Sequence, residues 1–279
     1  MGCLCYNLTL WAFCLTCGKV DFMSELRSTE HSVSTAEVLA EVERRQAEAR
    51  HPVGRSASRI VFLADRFVFW FSKHWLAVFN ALAGLYVGLP VLAPVLLYLG
   101  AERPAMVIHA VYGLLCHQLP YRSWFLFGPQ FAYTMPELVQ LLGGDVIFSP
   151  WSGDFVGNEV VGYKMAFCQR DVAIYGAIFV AGLVYGLLRR RWNVKPLPWW
   201  AYAGFGILPM LLDGGYQLLS YVLFTFWPDG PIAPYESTPL MRAVTGGLFG
   251  LATVWMAYPY VQETMQEFKE TLHQRFGWE

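Results

Sequence analysis

Charge is what this sequence has least of. Only 15% of its 279 residues are Asp, Glu, Lys or Arg, whereas a soluble domain carries about a quarter. Hydrophobic residues make up 56%, and mean hydropathy is +0.37. A chain so poor in charge has lipid rather than water as its main solvent. Several signatures of soluble enzymes are also missing: there is no Gly-rich phosphate loop after a strand, no nucleophile elbow and no His-Glu-x-x-His helix. A net charge of -1 and the lack of a basic, aromatic patch exclude nucleic acid as a partner. No internal repeat is visible, which argues against a monomeric carrier built on inverted repeats.

What the chain does have is apolar runs. Trp75 to Leu99, Asp171 to Leu188, Trp199 to about Phe226 and Leu240 to Val261 each reach the roughly 20 residues needed to cross the hydrocarbon. Pro90 and Pro94 are expected to kink the first. Ala105 to Cys116 covers only about 18 Å of a core roughly 30 Å thick, so it reads as a half-span or interfacial helix. Ile60 to Phe71, broken by Asp65 and Arg66, is expected to lie in the interface as an anchor. The fold class is therefore all-α: a polytopic integral membrane protein with about four transmembrane helices, one short half-span and a long extracytoplasmic loop.

Orientation follows from the basic residues. Arg189, Arg190, Arg191 and Lys195 form the densest cationic cluster at a membrane boundary, which assigns that loop to the cytoplasm. Cys168 then lies at the outer end of its helix. The loop from Tyr121 to Phe167, with Glu137, Asp145, Asp154 and Glu159 against Arg122 and Lys164, falls outside. Arg55, Arg59, Arg66 and Lys73 place the N-terminal segment inside, provided that Ala105 to Cys116 does not cross. Three regions result: a cytoplasmic N-terminal segment over 1–72, a membrane domain over 73–262 and a cytoplasmic amphipathic tail over 263–279. Within the first, Ser34 and Glu37 have the spacing of a capping box before a short amphipathic helix. Residues 1–22 read as a leader or upstream extension, because Met23-Ser24-Glu25 is a natural beginning.

The six cysteines fall into two groups. Cys3, Cys5, Cys14 and Cys17 flank an apolar stretch unlike the polar knuckles that hold structural zinc. Cys116 and Cys168 sit in two polar islands, Cys116-His117-Gln118-Leu119-Pro120-Tyr121-Arg122-Ser123 and Phe167-Cys168-Gln169-Arg170-Asp171. If the islands meet, Cys116, His117, Cys168 and Asp171 supply four donors to a soft or borderline, zinc-like metal ion. The same thiols can instead form a disulfide, closing about 50 residues and stabilising by roughly 4 kcal/mol on the entropic model, or pack unlinked as small hydrophobes. All three readings stay open at this point.

Inside the spans, Asp213 with Gln217 one turn later, and Arg242 one turn after the Glu236-Ser237-Thr238-Pro239 cap, are ionisable or polar groups that are costly in hydrocarbon. They need partners among Arg122, Arg170, Glu236 and one another. Gly246, Gly247 and Gly250 include a Gly-x-x-x-Gly spacing suited to close helix packing.

Taken together, Cys116-His117-Gln118-x-Pro120-x-Arg122-Ser123, Cys168-x-Arg170, Asp213-Gly214-x-x-Gln217 and Glu236-Ser237-Thr238 leading to Arg242 and Thr245-Gly246 resemble the prokaryotic membrane-protein family catalogued as domain of unknown function 2085. The resemblance runs from about Val91 to Pro259, and it implies a prokaryotic cytoplasmic (inner) membrane location while leaving activity open. The family has Cys-x-Arg-Cys at the second island, and Asp171 stands here where its last Cys would be. A three-thiol-plus-His set thus becomes two thiols, an imidazole and a carboxylate. Phe131 to Val161 looks like an addition to the family core. The expected function is a polar pocket at the outer face, with Cys116, His117, Cys168 and Asp171 binding a metal or carrying thiol chemistry. Arg122, Arg170, Asp213, Gln217, Glu236 and Arg242 would line it or pair the helices. The alternative is a non-catalytic subunit of a larger membrane complex, with a structural Cys116–Cys168 disulfide.

Overall fold

The computed structural model describes residues 39–45, 55–147 and 152–278. The four N-terminal cysteines, the 1–22 leader and the Ser34/Glu37 capping box lie outside the described residues. By contacts the chain divides into two units, 1–61 and 62–279. In the first, residues 39–45 are helical and Glu41 accepts hydrogen bonds from Arg44 and Arg45.

Helix α1 (Arg55–Tyr98) has 44 residues, about 66 Å at 1.5 Å per residue. The expected interfacial anchor and the expected first span are parts of this one helix. Nothing between them stops it: Ser72 and His74, the polar residues at the join, bond back to the carbonyls of Phe69 and Trp70 within the helix, and extending a formed helix costs far less than starting one. The helix also continues through Pro90 and Pro94, both fully buried. Pro90 cannot donate to the carbonyl of Tyr86, and the Tyr112 hydroxyl takes that acceptor instead, at 2.8 Å. The end is a Schellman motif at Gly100 (φ 78°), with Ala101 N bonded to Leu96 O and Gly100 N to Leu97 O.

Helix α2 (Glu102–Gly113) follows, 12 residues long and so about 18 Å, the expected length, but it starts and ends three residues earlier than Ala105 to Cys116 and leaves Cys116 beyond its end. The long connection after it has a structure the sequence reading did not foresee. Strands β1 (Ser123–Leu126), β2 (Gly157–Asn158) and β3 (Gly162–Cys168) form an antiparallel sheet in the order β1-β3-β2. Helices α3 (Met135–Leu142) and α4 (Gly144–Ile147) pack beside β1. Phe125, Tyr133, Leu138, Ile147 and Val161 give this insertion its own small core. Gly162 is required where the strands meet: its φ is +83°, and a Cβ there would lie 2.5 Å from the carbonyl oxygen of Leu126. The register sets Ser123 opposite Cys168, which fixes where β3 hands over to the next helix.

Helix α5 (Gln169–Leu188) begins at once. Helix α6 (Trp199–Phe226) contains two wider, π-helical turns, Tyr202–Ile207 and Leu211–Gly215, either side of Pro209. Helix α7 (Pro239–Phe276) starts with the Thr238 side chain accepting from Met241 N and ends at left-handed Gly277, so the expected tail continues the last span as one helix. Among the described residues, four helices are long and apolar enough to cross a membrane: Arg59–Tyr98, Gln169–Leu188, Trp199–Phe226 and Pro239–Phe276. With 73% helix and 6% strand, the chain is an all-α polytopic membrane protein.

Helices α1, α5 and α7 share a core of Trp75, Leu76, Ala181, Tyr185, Val254 and Tyr258. The Gly-x-x-x-Gly spacing is used within the chain, because a Cβ at Gly250 would lie 2.3 Å from the carbonyl oxygen of Ile174 on α5. Gly250→Leu should therefore separate α5 from α7, destabilising by about 1–3 kcal/mol. The check is the temperature at which detergent-purified protein loses its monodisperse peak, expected to fall by several degrees; an unchanged value would show that the contact carries nothing.

Candidate functional site

Cys116 lies just beyond α2, in a turn where its backbone N–H still bonds to Tyr112 O at 2.9 Å. Cys168 is the last residue of β3 and the N-cap of α5, its sulfur accepting from Asp171 N at 3.5 Å and donating to Asp171 Oδ2 at 3.1 Å. The two sulfurs and the Asp171 carboxylate lie within 4.8 Å of one another, all partly buried. Both cysteines are free thiols. Hydrogen bonding from Cys168 pulls the Cys116 thiol down to about 7 despite its burial. The Cys168 thiol is pushed up by the same pairing and by burial. The pair therefore gives up its first proton near neutrality and holds the second. Two soft sulfurs and a hard oxygen at this spacing suit a borderline ion such as zinc, whose bonds of about 2.3 Å to each sulfur imply a sulfur separation of roughly 3.5 to 4 Å. His117 is exposed and stands outside the three-ligand group.

Three polar residues, Lys164, Gln118 and His109, to which the sequence alone assigns no role at the site, hold the first island in shape. Lys164, on β3, is completely buried, and its Nζ donates to the carbonyls of Gln118 at 2.6 Å and Gly153 at 2.7 Å. Burial pulls it down to about 7, against the opposing pull of Cys116 and Asp154. Gln118 sits at φ 50°, a left-handed conformation unusual for a non-glycine residue. Its amide exchanges bonds with His109, Oε1 accepting from Nδ1 at 2.9 Å and Nε2 donating to the backbone carbonyl at 2.7 Å. The sequence carries one signal for Lys164: it is a lone cation set among Tyr163, Met165, Ala166 and Phe167.

A second constellation lies on the other side of the first turn of α5. Glu236 accepts two bonds from Arg122, each 2.7 Å, one from Gln217 at 2.9 Å, one from the Tyr221 hydroxyl at 2.7 Å, and another from Arg242. Arg242 also donates to Gln169 Oε1 at 2.9 Å, and Gln169 in turn donates to Ser123 O at 3.0 Å. Asp213, at the second π-helical turn, accepts from Arg170 at 2.6 Å, Ser237 at 2.5 Å and Thr245 at 3.3 Å. Gly214 makes room for this pair, since a Cβ there would lie 2.6 Å from Arg170 Nη1. Glu236 is thus the acidic partner that Arg242 needs, and Arg170 the basic partner of Asp213. Tyr221, Ser237, Thr245 and Gln169 are members that charge alone does not reveal.

The two constellations are joined by consecutive residues: Cys168 and Asp171 serve the thiol group, Gln169 and Arg170 the ion pairs. Both carboxylates of the second constellation are fully engaged. Its chemistry is that of a lock between helices, while the thiol group presents donors with capacity to spare.

The architecture agrees with comparisons to known proteins. The chain is 26% identical over 204 residues to an uncharacterised protein of Methanocaldococcus jannaschii, across 71% of this chain and 99% of the relative. No solved structure matches it. Residues 159–256, which hold Cys168, Arg170, Asp171, Asp213, Gln217, Glu236 and Arg242, match the model of the family described as predicted membrane protein (DUF2085), so that the resemblance carried by the later motifs is to this family of membrane proteins, while the first motif, Cys116 to Ser123, lies before the matched residues.

Proposed function

We propose that this is a metal-binding protein of a prokaryotic inner membrane, with both termini cytoplasmic and its thiol group at the outer face. Cys116, Cys168 and Asp171 would be three ligands of a zinc-class ion, the fourth position being filled by water or, after a turn of its side chain, by His117. The observation that supports this is the approach of two free sulfurs and a carboxylate to within 4.8 Å, from elements 52 residues apart in sequence at the cysteines. The substitution of Asp171 for a cysteine in the family pattern fits the same reading, since a carboxylate also ligates zinc. The basic loop after α5 supports the orientation. The three-region division, 1–72, 73–262 and 263–279, belongs to the same proposal.

The test is metal analysis of the full chain purified without chelators. Wild type should carry stoichiometric zinc, and Cys116→Ser or Cys168→Ser less than about a tenth of it. Metal-free protein in every case would end the reading.

A second reading, a non-catalytic subunit with a structural Cys116–Cys168 disulfide, is favoured by the full engagement of Glu236 and Asp213, which look built for rigidity. Alkylation of protein from oxidising membranes separates the two: blocked thiols until reductant is added indicate the disulfide.

A further inference from the structure

The basic loop after α5 plays no part in the thiol group, and the structure gives it a shape of its own. Arg189, Arg190, Arg191 and Lys195 line a recess of about 780 Å³ together with Gln262 and Glu263 of α7. Arg189 is held there by a bond to Gln262 and lies over the Trp75 ring. Arg190, Arg191 and Lys195 are exposed and have no ion-pair partner among the described residues. The last carbonyls of α5 do not face the recess as bare negative ends: those of Tyr185, Leu187 and Leu188 accept from the backbone N–H groups of 189–192.

An apolar groove of about 430 Å³ adjoins this recess, lined by Val180, Val184, Leu188, Gly247, Leu251 and Trp255. Tyr185 and Val194 line both, so recess and groove adjoin across these two side chains. The junction is fixed in place. Pro259 has no N–H for the carbonyl of Trp255, and Leu197 N takes that acceptor at 3.2 Å, while Trp255 Nε1 donates to Lys195 O at 3.3 Å. The loop is thereby tied to α7 with its cations beside the mouth of the groove.

A cationic recess at the end of a candidate span, beside an apolar groove, has the amphipathic form of one class of molecule. We propose that it is a binding site for an anionic phospholipid, the phosphate resting among Arg190, Arg191 and Lys195 and one acyl chain lying along Val184, Gly247 and Leu251. Charge complementarity selects the acidic headgroup, because basic residues at a membrane surface attract anionic lipid. The groove selects a lipid over a free phosphate, which has nothing to put there. The site is independent of the thiol group and of any metal.

Native mass spectrometry of the full chain in detergent tests this, with phosphatidylglycerol and phosphatidylcholine of identical acyl chains as probes. Wild type should retain the anionic lipid about tenfold or more over the zwitterionic one. Arg190→Ala/Arg191→Ala/Lys195→Ala should abolish the preference, while Arg190→Lys/Arg191→Lys keeps it. Gly247→Leu should cut retention of both lipids, because a Cβ there meets nothing within 4 Å and the leucine would extend from it into the groove that Gly247 lines. Equal retention of the two lipids by wild type, an undiminished preference in the triple alanine variant, undiminished retention in Gly247→Leu, or displacement of the lipid by millimolar inorganic phosphate would each overturn the proposal. Unchanged thermal midpoints without lipid show that the variants fold.

Discussion

Asp213→Ala should be among the most damaging single substitutions in this chain, costing about 3–5 kcal/mol by stranding the Arg170 guanidinium away from water. The Asp213 side chain is only 2% exposed and that of Arg170 18%. Arg170 has no other carboxylate within ion-pair distance among the described residues, and its Nε is already buried without a partner. The Ser237 hydroxyl would lose its shortest bond in the same change, while that of Thr245 keeps the Met241 carbonyl at 2.8 Å. In a thermal denaturation series in detergent, a loss of this size corresponds to roughly 10 °C. The double variant Asp213→Leu/Arg170→Met should recover most of it, because a buried pair replaced by apolar groups of similar volume is often close to neutral. If the double variant is as unstable as Asp213→Ala, the pair is not simply a lock and Arg170 has a further role.

The second large effect concerns pH. Lys164 is held near 7 in the folded protein by its burial, against about 10.4 for an unfolded lysine. Between those values the unfolded chain binds one more proton than the folded one, so stability rises with pH across about 7 to 10 and is lost as pH falls through the folded value. The span of that effect is on the order of 4–5 kcal/mol. Lys164→Met should flatten the rise. It would also leave the Gln118 and Gly153 carbonyls without a donor, so the telling quantity is the slope of thermal midpoint against pH, and not the midpoint itself. A variant with the wild-type slope would mean that Lys164 stays charged in its site. The cysteines partly cancel in the same range. Cys116 is lowered and adds stability above its folded value, whereas Cys168 is raised and subtracts stability at higher pH.

Much of this architecture is legible in the sequence because the bilayer imposes so simple a rule on helix length and charge. Four long apolar helices and the short α2 follow from counting residues against the hydrocarbon thickness. The pairing of Asp213 and Arg242 with opposite charges follows from the cost of leaving them alone in lipid. Which partner each one takes does not follow: Arg170 and Glu236 are chosen by the rotation of α5 and by the segment before α7, and neither is a matter of composition. The sheet escaped notice because β2 is two residues long and β1 four, too short for an alternating pattern to stand out. Lys164 escaped with it, since a single cation in a long connection looks solvated until the strand carrying it is seen to be buried. The separation of the first span from an interfacial anchor was an inference from Asp65 and Arg66, but two charges within a turn do not end a helix.

Successive residues of an α-helix point about 100° apart. Cys168 and the three residues after it each answer to a different neighbour, in the turn after α2, in β1 and α7, in α6, and back at the cap itself. The three that reach outside the helix, from Cys168, Gln169 and Arg170, are spread around one axis and act like the wards of a key. Helix α5 cannot swivel by a few degrees to relieve one of them without misaligning the rest. Any working motion of this protein must therefore carry the head of α5 along as a fixed pivot, or release the whole set in a single cooperative step.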